Sequence, residues 1–246
     1  MTRDHPALSA DARQPGALSW WWLGAGLIRI LAPLGALILE GWPALIGTLL
    51  VQEGGLWLSG HLVGGCQRRR ARGLFVGAWG LRMSIVLPTH YVAMLGNDNG
   101  ALYRDDYTND LVGEWLVRIA RGDGGVSIFP GHQYLLDSIY TYVLMAIYAI
   151  FGYSPLLPKV LNIGLAALCV VLVFDIARKV FSQRAAMLAA LGAAVLPSLV
   201  VWSIASLKET LVLAAALLAL WLVQFLSTAG RRDRRIVDAG VALVAV

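Results

Sequence analysis

Ala185 to Gly230 reads AAMLAALGAAVLPSLVVWSIASLKETLVLAAALLALWLVQFLSTAG, and its only charged residues are the adjacent pair Lys208-Glu209. A helix needs about 20 apolar residues to cross the hydrocarbon core of a bilayer. The stretch supplies two such runs, Ala185–Leu207 and Thr210–Gly230, on either side of a short charged turn. A run that apolar has no place in a soluble domain of this size. The reading is an all-α integral membrane protein, a multi-span helical bundle.

Working outward, four more spans are expected. Ala17–Leu39 carries Arg29 as its one charge, Trp42–Val63 carries Glu53 and His61, Leu74–Leu95 carries Arg82, and Ser154–Ile176 has Lys159 and Asp175 near its ends. The first is long for a signal peptide and lacks a convincing cleavage site, so it is read as retained. A last apolar run, Ile236–Val246, is too short to cross. A chain that ends inside an apolar run reads as truncated.

Composition agrees. Of 246 residues, 58% are hydrophobic and 14% charged, against roughly 25% charged in soluble domains. The net charge is +5. In a soluble chain that excess would suggest nucleic acid; here it reports loop arginines and lysines, and no nucleic-acid partner is expected. Cys66 and Cys169 have no metal-type or disulfide-framework spacing.

Three basic clusters set the orientation: Arg68-Arg69-Arg70 with Arg72, Arg178-Lys179 with Arg184, and Arg231-Arg232 with Arg234-Arg235. Such clusters stay on the cytoplasmic side. Between the first two the chain must cross an even number of times, so Tyr134–Phe151 is read as an interfacial helix, with a short span as the rival reading. The same parity puts the turn Ser206–Glu209 and the segment Gly96–Asp137 on one outer face, and the tail 1–16 in the cytoplasm.

The outer segment, 96–137, holds seven of the fifteen acidic residues against three arginines. Thr108–Arg121 reads as an amphipathic helix, with Leu111, Trp115 and Ile119 on one side and an i,i+4 pair Glu114–Arg118 on the other. Before it stands Tyr103-Arg104-Asp105-Asp106-Tyr107. The plain reading of Asp106 is a helix N-cap and of Asp105 a solvated loop acid. The same position suits a general base toward an acceptor hydroxyl or amine, and two adjacent acids are also a possible divalent-cation site. No cofactor beyond that cation is indicated. His132, after Pro130-Gly131, reads as a capping or surface residue, with a role at a site as the rival. Lys208 reads either as a side chain snorkelling to the interface or as the partner of a lipid phosphate. Arg82 is expected to pair with an outer-loop acid or a lipid phosphate, and Arg29 to be structural.

The order of these pieces resembles a known group. An Arg-bearing span ends Leu87-Pro88. An acidic loop with Asp105-Asp106-Tyr107 follows, then a helix ending Ala120-Arg121-Gly122-Asp123. Next come Pro130-Gly131-His132-Gln133-Tyr134, Tyr148 to Ser154, Lys159-Val160-Leu161-Asn162, Leu196-Pro197 and Ser206-Leu207-Lys208-Glu209-Thr210. From about Leu74 to Gly230 the chain is similar to the N-terminal half of polytopic C-type glycosyltransferases, the group of protein O-mannosyltransferases and lipid A aminoarabinose transferases. The resemblance implies an inverting transfer of a sugar from a polyprenyl-phosphate donor, on the outer or periplasmic face, to a glycan, lipid or protein acceptor. It implies a first-loop Asp as base, which maps onto Asp105 or Asp106, with Asp105 slightly favoured. It implies Lys208 as a phosphate partner, with Glu209, His132, Arg82 and Tyr107 as further substrate contacts, in a bacterial inner membrane. On this map residues 17–73 are two additional spans and a basic loop, and 74–246 is the N-terminal part of the transferase membrane domain.

Two other readings compete. A transporter for a lipid-linked substrate would place ionisable groups near the midplane, and the two runs of 185–230 have none. A non-catalytic membrane subunit that binds partners or the lipid-linked sugar would show no turnover.

Overall fold

The computed structural model describes residues 17–63, 65–96, 100–123 and 138–228. The tail 1–16, His132, Tyr134–Asp137, the Arg231–Arg235 cluster and the terminal apolar run lie outside them.

Among the described residues the regular structure is entirely helical. In order the helices are α1 (Ala17–Glu40), α2 (Trp42–Val63), α3 (Arg68–Leu95), α4 (Arg104–Ala120), α5 (Ile139–Phe151), α6 (Leu156–Val180), α7 (Gln183–Val195), α8 (Pro197–Ser203) and α9 (Glu209–Thr228). The apolar helix α6 is the axis of the bundle and packs against α2, α3, α7 and α9. Trp79, Phe75, Ile163, Val170 and Phe174 fill the core around it. Small residues let the backbones approach, as expected where packing rather than hydrophobicity holds helices in lipid. A Cβ on Gly164 would sit 2.4 Å from Val51, and one on Gly47 would sit 2.2 Å from Leu157.

By length and composition α6 and α9 can each cross a membrane, and α7 with α8 can do so as a bent pair. α1, α2 and α3 have the length to cross, 24, 22 and 28 residues, and they carry polar groups that the bundle pairs internally. The protein is an integral membrane protein. α5, at 13 residues, spans about 20 Å and is too short to cross alone. It lies against α4, where Tyr140, Leu144 and Tyr148 meet Val117.

Three expectations change. Ala185–Leu207 is not one straight helix: it breaks before Pro197 and bends by 54°. Proline has no N–H, so Ala193 loses its i+4 donor. Arg82 takes that carbonyl with Nη2 at 3.4 Å, and also donates to Ser203 Oγ at 2.9 Å and Ala78 O at 3.1 Å. Arg82 therefore closes the break; it is only 1% exposed and meets no outer-loop acid among the described residues. Second, the first basic cluster is not a loop but the first turns of α3, so a boundary at residue 73 falls inside a helix. Third, the loop helix starts at Arg104 rather than Thr108, and Arg118 pairs with Asp123 at 2.9 Å rather than with Glu114.

The two ends of the bundle differ. At the basic end, Asp175 is buried and takes Arg178, Lys179 and the Trp221 indole N–H. At the other end, α4, α5, the starts of α2 and α6, and the turn 204–208 come together.

Candidate active site

The α4 end holds a connected set of buried polar side chains. Glu40, the last residue of α1, accepts from the Leu156 backbone N–H at 3.0 Å and from the Ser154 hydroxyl. Its other neighbour is His90 of α3, whose Nε2 lies 2.7 Å from Glu40 Oε1. His90 Nδ1 lies 3.0 Å from the carbonyl oxygen of Gly100, and Lys159 Nζ donates to that same oxygen. Gly100 has φ +78°, and a Cβ there would stand 2.0 Å from the His90 ring. Only glycine fits, for both reasons.

Lys159 then reaches Asp106. The ammonium and carboxylate are 3.3 Å apart and both fully buried. A buried pair holds only when its remaining hydrogen-bonding capacity is met. Here the Leu102 N–H donates to Asp106 Oδ2 at 2.9 Å and the Ser206 N–H to Oδ1 at 2.8 Å. Asp106 is thus not the N-cap, a position that Tyr103 takes. It sits in the first turn, reaches back to the preceding backbone, and joins α4 to α6 and to the turn a hundred residues on.

One helical turn later Asp110 is buried too. The Tyr148 hydroxyl donates to its Oδ1 at 2.8 Å, and Ser206 Oγ lies 3.4 Å from Oδ2. Burial pushes its carboxyl well above the usual range, neighbouring Asp106 adds to the rise, and Lys159 opposes it. The turn 204–208 is gripped through its backbone. Asn162 donates to Ala205 O at 2.7 Å and Leu207 O at 2.9 Å, and Asn109 donates to Ser206 O at 3.1 Å.

The two adjacent acids therefore face different surroundings. Asp106 is enclosed, whereas Asp105 is exposed and bonded to none of the described residues. Tyr107 beside it is 39% exposed. Lys208 and Glu209 are exposed on the gripped turn, at the same end of the bundle. Arg82 is committed inside the bundle, and His132 lies outside the described residues. The Lys159 ammonium is the counter-charge beside Asp106. Among the described residues no group of three or more His, Cys, Asp or Glu side chains could hold a metal.

Sequence reasoning missed Glu40, His90, Lys159, Asn162 and Asp110 as members of this end. The available signal was depth: ionisable groups within apolar helices pair inside the bundle, and Glu40, His90 and Lys159 are each of that kind.

The class defined by this architecture is a polytopic helical membrane protein with a polar site at one end. Residues 138–244 match the family model of dolichyl-phosphate-mannose-protein mannosyltransferases, which are membrane glycosyltransferases. The match takes in α5 to α9, with Lys159, Asn162, Ser206 and Lys208, and less than half of the chain. Asp105 and Asp106 precede it. No curated protein and no solved structure matches the chain.

Proposed function

We propose that the chain transfers a sugar from a polyprenyl-phosphate donor to an acceptor hydroxyl or amine, with inversion, at the α4 end of the bundle. Asp105 is the base. The observation that carries this reading is the division of labour between neighbours: Asp106 is spent on Lys159 and two backbone N–H groups, which leaves Asp105 as the exposed carboxylate. The family match over 138–244 supports the reaction class.

Asp105 takes the acceptor proton as the acceptor oxygen or nitrogen bonds to the anomeric carbon. The bond from that carbon to the phosphate oxygen breaks on the opposite face, and the polyprenyl phosphate leaves with the electron pair. Lys208 offsets the charge that accumulates on the departing phosphate, the kind of electrostatic help that dominates many transfers. Tyr107 and Glu209 border the same space. The site faces the periplasm of a bacterial inner membrane, with the basic clusters and the N-terminus in the cytoplasm.

Asp105→Asn, Asp106→Asn and Lys208→Met separate the roles in a transfer assay with a synthetic polyprenyl-phosphate sugar. Asp105→Asn should lower kcat by about 10²–10⁴-fold, the usual size of a general-base contribution, with Tm unchanged. Lys208→Met should lower transfer less. Asp106→Asn should lower Tm first. Parental turnover by Asp105→Asn would remove Asp105 from the mechanism.

A further inference from the structure

We propose that a groove at the basic end of the bundle, between α1, α2, α3 and α7, binds one anionic phospholipid. The groove has a volume of about 1020 Å³, at the upper end of the roughly 300–1,000 Å³ of ligand pockets. Arg69, Arg70 and Arg72, from the first turns of α3, line one end of it. Apolar side chains line most of the rest, among them Trp57 of α2, Leu74 and Leu81 of α3, and Leu191 of α7. From Arg70 to Leu81 the groove runs roughly 16 Å along α3 at 1.5 Å per residue, about half of the hydrocarbon thickness. A cluster of cations over an apolar channel one leaflet deep is complementary to a phosphate head with an acyl chain beneath it. Basic pockets between membrane helices take anionic head groups for this reason.

The arginine end is a packed arrangement. Arg72 lies against the α2 backbone at Gly60, where a Cβ would come within 2.8 Å of its Nε, and Arg68 donates to Gly60 O at 2.9 Å. Arg70 donates to Gln67 at 3.1 Å. Arg29 and Glu53 also line the groove, each about half exposed, and they pair with each other. They pair with each other, so the cations at the head of the groove come from α3. Gly26 of α1 and Gly73 of α3 both line the groove, and a Cβ on either meets nothing within 4 Å. These glycines keep the channel open.

That last feature supplies the test. Gly73→Leu puts bulk into the groove without removing a cation, its Cβ meets no atom within 4 Å, and it replaces a helical glycine by a better helix former. The full chain, purified in detergent, is exchanged into micelles doped with dioleoyl phosphatidylglycerol or dioleoyl phosphatidylcholine. Retained lipid is counted by native mass spectrometry, and Tm is recorded. One phosphatidylglycerol per chain is expected, with a rise in Tm that phosphatidylcholine does not give. Gly73→Leu, and separately the triple variant Arg69→Gln, Arg70→Gln, Arg72→Gln, should each retain at least ten-fold less. Equal retention of both lipids, or undiminished retention by Gly73→Leu, would overturn the proposal. So would an equal rise in Tm with glycerol 3-phosphate, which would assign the arginines to a free phosphate. The Gly73→Leu result stands even if the triple variant does not fold.

Discussion

Asp105 and Asp106 show how little adjacency fixes. They are the same side chain on the same helix turn, yet one is exposed and the other sealed against Lys159. Spacing placed both just before a helix, and they lie inside its first turn. It had no access to Ser206 and Lys159, the distant groups that decide which carboxylate is committed. Removing one member of a buried ion pair leaves the other uncompensated, at about 3–5 kcal/mol. Lys159→Met should therefore lower thermal stability sharply, and the double variant Lys159→Met, Asp106→Leu should recover part of the loss. Asp110 adds a dependence on pH. Its folded-state pKa lies above the unfolded one, chiefly through burial. Such a group favours the folded state in acid, and the contribution is lost as pH rises through the folded value. Asp110→Asn keeps an acceptor for the Tyr148 hydroxyl and cannot ionise. Its Tm relative to the parent should improve steadily from pH 5 to pH 8 in detergent. A constant difference across that range would mean that the folded-state carboxyl of Asp110 is already ionised throughout it.

At the scale of elements, apolar runs were enough to find α1, α2 and α9 to within two residues and α6 to within four. The sequence was less informative at α7 and α8, because hydropathy is blind to a break inside an apolar run. Pro197 was the visible sign, and Arg82 the partner that the break demands. A buried acceptor left without a donor costs about 1–3 kcal/mol. Arg82→Met leaves the Ala193 carbonyl without its donor and takes another from the buried Ser203 hydroxyl, and it should destabilise. Pro197→Ala restores a donor to Ala193. The expected result is a Tm at or above the parent with slower transfer, since a straighter helix carries the Lys208 turn away from α4. Crosslinking between cysteines placed at residues 105 and 208 would read that displacement directly.

For the whole molecule, the parity of basic clusters predicted that the acidic loop and the Lys208 turn share an end, and the hydrogen bond from Ser206 N to Asp106 joins them there. α9 is the outlying member of the bundle, with 6% of its membrane window buried. It is tied to α6 by the Trp221 indole on Asp175 and by Lys179, 5.4 Å from the Trp221 ring centroid. Trp221→Phe removes the hydrogen bond, worth about 1–3 kcal/mol to a charged acceptor. It should lower Tm modestly and leave the α4 end intact, so transfer at low temperature should be unchanged. The grip on residues 205 to 207 has a different kind of consequence. Asp106, Asn109 and Asn162 hold the main chain of that turn at four points and require only backbone atoms from 205 and 207. Drift over generations should therefore be generous at the half-buried place 207, confined to small residues at the buried place 205, and strict about how many residues there are. One inserted or deleted residue would slip every contact at once, and a proline at 206 would remove the N–H that Asp106 holds.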